Sequence, residues 1–187
     1  MSAPSPRERA FADYLVTLAG RQDRAALAAL RRGLGKGPGE TAEPYPYVGR
    51  FLPEEPWREA AFLLTAALFA LHPLPWPGAT DPNRSNLGGS LARLSRNVES
   101  DSVERRVVAL LNSHSDDLPD HLRRIVALLK AHDIPVDWAQ LLHDVQGWDW
   151  PSRSVQRAWA RSFWADPGTA DETEPATAGD ALAPLDA

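Results

Sequence analysis

Two His-Asp dipeptides, His132-Asp133 and His143-Asp144, are the residues of this 187-residue chain whose types could carry hydrolysis. Histidine and carboxylate together hold a divalent metal, and a metal-dependent phosphohydrolase is the enzyme class such pairs would serve. Each pair falls at the predicted end of a helix, however, where His and Asp are ordinary. The remaining histidines, His72, His114 and His121, do not complete a ligand set. His121 and His132 share a helical face, but eleven residues separate them, about 16 Å along a helix and too far for one ion. Gly33-Leu34-Gly35-Lys36-Gly37 imitates a phosphate loop, yet it follows a helix rather than a strand and lacks the Ser or Thr that would hold magnesium. Without cysteine or a Gly-x-Ser-x-Gly elbow, a nucleophile is missing as well. The sequence therefore predicts a protein that is not an enzyme and needs neither metal nor cofactor.

Arginine placement is the positive signal. Adjacent pairs recur on predicted helices as Arg31-Arg32, Arg105-Arg106 and Arg123-Arg124, and Arg93 with Arg96 forms a pair three residues apart. Arg24 and Arg31 lie in register opposite a leucine stripe, with Lys36 just beyond the helix end. Only two of the 20 cations are lysine, and the planar guanidinium fork suits phosphate oxygens and flat rings. Cations at helical spacing can follow phosphates without reading bases. The same pattern also serves as the polar face of any amphipathic helix, so a scaffold that binds only protein stays open. Tryptophan is the second unusual feature, with five of seven after residue 137. Exposed indoles would stack on unpaired bases; buried ones would fill the core of a small C-terminal unit.

Helices must position these residues, because Ala, Leu and Arg dominate between proline clusters and strand-like alternation is nearly missing. The pattern predicts an all-α chain of eight or nine helices. The first spans Pro6 to Gly20, and the second follows Asp23 as its N-cap and ends before Gly33. A short helix is expected from Val48 to Leu52. A buried one starts at Pro56, where Ala60 to Leu71 is apolar except for Thr65. Pro73 to Gly89 reads as a long, mobile surface connection, with order resuming in a Ser90–Asn97 helix. Asp101 with Glu104, and Asp137 with Gln140, look like capping boxes opening helices that end near Asn112 and Gly147. Pro119 to His132 and Pro151 to Trp164 complete the set. The expected organisation is a helical bundle over 1–115 with long loops near 33–47 and 73–89, a second bundle over 116–164, and a disordered acidic tail over 165–187.

The formal charge of -5 is uneven: the segment 165–187 holds six acids and no Lys or Arg, so residues 1–164 carry 20 cations against 19 acids. A neutral body binds phosphate only where cations cluster on one face. Absent cysteines exclude disulfides and thiolate metal sites. The charged start after Met1-Ser2-Ala3-Pro4 does not read as an export signal, so a cytoplasmic location and no membrane partner are expected.

The order of short motifs resembles the CasB family, the small subunit of the type I-E CRISPR Cascade complex. The matching stretches are Leu30-Arg31-Arg32-Gly33, Gly89-Ser90-Leu91-Ala92-Arg93-Leu94, Glu104-Arg105-Arg106-Val107, Leu122-Arg123-Arg124-Ile125-Val126, Val136-Asp137-Trp138 and Trp159-Ala160-Arg161-Ser162-Phe163-Trp164. The resemblance implies two helical bundles, pairing of identical copies as a dimer, and assembly with other Cascade subunits around guide RNA. It further implies a non-catalytic role in antiviral defence, holding target and displaced DNA strands of an R-loop while base pairing with the guide reads sequence. By position it carries phosphate contact to Arg31, Arg32, Arg93, Arg96, Arg105, Arg106, Arg123 and Arg124, with Lys36, Arg153 and Arg157 beside them.

Overall fold

A computed structural model describes residues 3–78, 80–98 and 101–165, apart from the Asp101 side chain. The expected acidic tail, from Asp166 onward, and the expected Asp101 cap lie outside the described residues. Among the described residues the chain forms nine α-helices and one 3-10 turn: α1 Pro6–Gly20, α2 Arg24–Arg32, α3 Tyr45–Val48 running into the turn Gly49–Phe51, α4 Pro56–Leu71, α5 Leu87–Asn97, α6 Asp101–Leu111, α7 Leu118–Ala131, α8 Trp138–Gln146 and α9 Ser154–Trp164. No described helix is long and apolar enough to cross a membrane.

Local chemistry sets the ends. Ser5 and Glu8 form a reciprocal capping box on α1, which starts with Pro6. Asp23 caps α2 by accepting from the Ala26 amide at 2.9 Å. On α8 only half of the expected box forms: Asp137 accepts from the Gln140 amide at 3.0 Å, but the Gln140 side chain turns to Asp144 at 2.8 Å. The last helix begins three residues later than Pro151, because Pro151-Ser152 make a turn and Arg153 enters the left-handed region at φ 48°.

Helix α4 is the hub. Its apolar run, including Phe62, Ala66, Leu68 and Phe69, is buried, and α2, α7 and α8 pack around it while α8 also packs on α1. One buried cluster runs from Phe11 and Leu15 of α1 through α4, Leu91 and Leu94 of α5, Val107 of α6 and Leu122 of α7 to Trp138 and Trp159. The expected second bundle thus shares its core with α1 and α4.

The first residues of the expected loop over 73–89 are bonded to the chain before α8: the Trp76 amide donates to Val136 O at 2.9 Å and an isolated bridge joins Pro75 to Val136, while buried His72 just ahead of them holds Ile134 O at 2.7 Å. Helix α5 starts at Leu87, three residues before Ser90, with Asn86 as a buried N-cap. Its opening Gly88-Gly89 pair looks like a helix breaker, but both positions are buried and need the missing side chain. A Cβ on Gly88 would stand 2.1 Å from the Trp159 carbonyl oxygen, and one on Gly89 1.9 Å from that of Arg84. Gly88 lets α9 press directly onto α5, and Gly89 lets the chain before α5 fold back on the helix start.

Candidate nucleic-acid interface

Helices α5, α6 and α7 pack on one another, and α9 lies against α5. Six of the expected contact residues ride on α5–α7: Arg93 and Arg96, Arg105 and Arg106, Arg123 and Arg124. Buried Leu122, Ile125, Val126 and Leu129 turn α7 so that Arg123 and Arg124 are exposed. Val103, Val107 and Leu110 do the same for Arg105 and Arg106 on α6. Arg153 and Arg157 sit at the start of α9, and Arg153 Nη2 donates to the carbonyl of Leu111 at the end of α6. The fold thus gathers eight of the expected residues onto four adjoining helices.

The other three lie elsewhere. Arg31 and Arg32 end α2, which packs on α1 and α4, and the Arg31 Nε donates to Ala70 O at 3.2 Å. Lys36 lines a cleft of about 780 Å³ together with Trp57, Asp116, Asp120, Asp149 and Trp150. Three carboxylates make that cleft a poor place for phosphate.

Arg32, Arg96, Arg106, Arg123, Arg124 and Arg157 are exposed with no described carboxylate oxygen within 4.0 Å, whereas Arg58 pairs with Glu55 at 3.8 Å. Arg9, Arg21, Arg24, Arg84 and Arg161 are likewise exposed with no described carboxylate oxygen within 4.0 Å, while others serve the scaffold. Arg7 ties α1 to the carbonyls of Phe51 and Leu52 at 3.0 and 2.8 Å, and Arg50 lies 4.4 Å over the Tyr14 ring. Arg93 is intermediate: its guanidinium stacks 3.9 Å over the half-buried Trp76 ring, and burial, then repulsion from Arg96, lowers its pKa. That stacking holds the side chain in place at the edge of α5.

The His-Asp pairs do not form a metal site. His143 Nδ1 meets Glu8 Oε2 at 3.3 Å, whereas Asp144 faces inward and accepts from Trp159 Nε1 at 2.6 Å and Gln140 Nε2 at 2.8 Å. Burial pushes the Asp144 carboxyl up to about 7. Burial would also raise Glu8, but hydrogen bonds from His143, the Ser5 amide and Gln146 outweigh it and hold that carboxyl at about 2. His132 and Asp133 are exposed at the end of α7, and among the described residues no three His, Asp or Glu side chains converge as metal ligands do.

The tryptophans divide. Trp138, Trp148 and Trp159 are buried, as core residues, while Trp57, Trp150 and Trp164 are exposed. One cation escaped the sequence reading of contacts: Arg161, exposed on α9 four residues after Arg157. Its signal was the four-residue spacing of Arg153, Arg157 and Arg161, visible once α9 is known to be helical.

Side chains and fold together define an all-helical protein in which many of the exposed cations share adjoining helices and the His143-Asp144 pair is bonded within the core and its edge. Comparison with known proteins takes this further. The family model for CRISPR-associated protein Cse2 matches residues 26–164. The CRISPR-associated protein Cse2 of Thermus thermophilus is 37% identical over 174 residues, covering 90% of this chain and 95% of that protein. Two solved structures are similar: M. ruber CasB, with a TM-score of 0.70 and 34% identity over 84% of this chain and 92% of its own, and a chain of a CRISPR RNA-guided surveillance complex, with a TM-score of 0.72 and 30% identity over 84% and 91%. The chain belongs to the Cse2 family of CRISPR-associated proteins.

Proposed function

We propose that this protein is a non-catalytic small subunit of a type I-E CRISPR RNA-guided surveillance complex, working in the cytoplasm. In that assembly it grips the target and displaced DNA strands beside the guide RNA. It contacts other subunits and a second copy of itself. Family membership supports the assembly. The observation that carries the grip is the group of exposed guanidiniums on α5, α6 and α7, with Arg96, Arg106, Arg123 and Arg124 unpaired with any described carboxylate. Such groups bind backbone phosphate through charge and forked hydrogen bonds, independent of base identity. Sequence is left to guide pairing. The near-neutral body makes binding by the free subunit weak and steeply salt-dependent, whereas tethering in the complex raises the effective concentration of the surface.

Reversing charge at Arg106 and Arg123 together tests this reading. Both side chains are exposed, so helix content and melting temperature should stay as in the native protein. Dissociation of opened DNA from the assembled complex should quicken at least tenfold, as expected when several phosphate contacts are lost. Unaltered retention would count against the grip and leave a subunit that binds only protein.

A further inference from the structure

Helix α9 carries an exposed stripe that the arginine pairs of the sequence do not include. Arg157, Arg161 and Trp164 recur at i, i+4 and i+7, so they share one helical face, and all three are exposed. Arg157 and Arg161 are separated by about 6 Å of helical rise, and the indole follows about 4.5 Å further on. The opposite face, Val155 and Trp159, is buried against the core, which fixes the stripe outward.

The ends of the helix are tied to α6. At one end Arg153 holds the Leu111 carbonyl; at the other the Trp164 Nε1 donates to Glu104 Oε1 at 3.3 Å. The two helices therefore run antiparallel, and α5 packs on both. The Glu104 bond and a perpendicular contact with the Phe163 ring, centroids 4.9 Å apart, hold the indole. Trp164 remains 49% exposed. A held, half-exposed ring, one turn beyond two guanidiniums that pair with no described carboxylate, has the makings of a nucleotide stacking platform. The described carboxylate at this end of the helix, Glu104, is engaged with the indole N–H.

Resting on the proposed grip of DNA, we infer that the Arg157–Arg161–Trp164 stripe binds an unpaired single strand. Phosphates meet the two guanidiniums and one base stacks on Trp164. Paired bases cannot reach the indole, since their faces are taken up by stacking within the duplex. The stripe thus gives the subunit a preference for single strand over duplex that phosphate contacts alone do not supply.

The test measures binding of oligothymidylate and of a duplex to the full-length protein at low salt, and to the assembled complex. Trp164→Ala should weaken oligothymidylate binding about tenfold, with duplex binding unchanged; Trp164→Phe, which keeps an aromatic face, should retain most of it. Oligothymidylate should also quench an indole signal that is missing from Trp164→Phe. Equal loss for single strand and duplex, or no loss in Trp164→Ala, would overturn the inference. So would a Trp164→Ala protein that binds oligothymidylate normally but fails to enter the complex, since that marks the indole as a protein contact. The underlying reading is judged separately by Arg106→Glu with Arg123→Glu. If those reversals release opened DNA and Trp164→Ala does not affect single strand, only the stacking inference falls; if neither has an effect, both fall.

Discussion

Trp159 and Trp164 stand five residues apart on the same helix, and their surroundings give them opposite work. Trp159 is 1% exposed, packs against Trp148 with ring centroids 5.1 Å apart, and donates its N–H to the buried Asp144 at 2.6 Å. Trp164 is half exposed, and its N–H reaches an exposed carboxylate. The first joins α9 to α8 and makes the helix part of the core. The second sits on the face that the first turns toward solvent. A buried polar anchor can therefore set the direction of an exposed stripe on the next turns of the same helix, so that burial and binding are two faces of one placement.

Substitutions can break this contrast. Gly88→Ala should do most damage, because the new methyl meets the rigid Trp159 backbone and α9 must move off α5. We expect a loss of about 3 kcal/mol or more, read from the urea midpoint. Trp159→Phe keeps an aromatic ring but leaves a buried carboxylate oxygen without its donor, for a loss of about 2 kcal/mol. Trp164→Phe should cost less than about 0.5 kcal/mol, as an exposed site does. Similar losses for the two tryptophan variants would erase the contrast.

Asp144→Asn sharpens it through pH and ranks between those two tryptophan variants. The Asp144 pKa is raised from 3.8 to about 7 in the folded protein. Its favourable contribution is therefore complete below pH 3.8 and is lost as pH rises through about 7. Glu8 behaves oppositely, contributing above 4.5 and losing its contribution as pH falls toward 2. The stability difference between the Asn variant and the native protein should thus shift in favour of the variant by about 1 kcal/mol or more between pH 4 and pH 8. A difference that stays flat with pH would mean that Asp144 is not held protonated by its burial.

Much of this was legible in the sequence where the cause is local. Asp23 and Asp137 announce two helix starts through side chains that reach an amide three residues on, and Pro6 marks a third. The apolar stripe from Leu118 to Leu129 orients α7 and so exposes Arg123 and Arg124. What was not legible depends on partners distant in sequence. Gly88-Gly89 read as a loop because glycine weakens an isolated helix; the value of Gly88 lies in contact with α9, some seventy residues later. Pinning of 73–78 rests on Val136 and Ile134, which give no sign in the segment itself. Among the arginines, sequence spacing could not separate Arg31, committed partly to Ala70, from Arg32 beside it. Nor could it join α9 to the arginine-bearing helices, and Arg161 was passed over for that reason.

The most direct test of the phosphate grip is the salt dependence of single-stranded DNA binding by the assembled complex, with and without Arg106→Gln, Arg123→Gln and Arg124→Gln together. Each lost phosphate contact should lower the slope of log affinity against log salt by about 0.7, so the triple variant should show a shallower slope by about 2. Binding should weaken equally for unrelated sequences. A slope equal to that of the native complex would contradict the account, because those guanidiniums would then release no counterions from DNA.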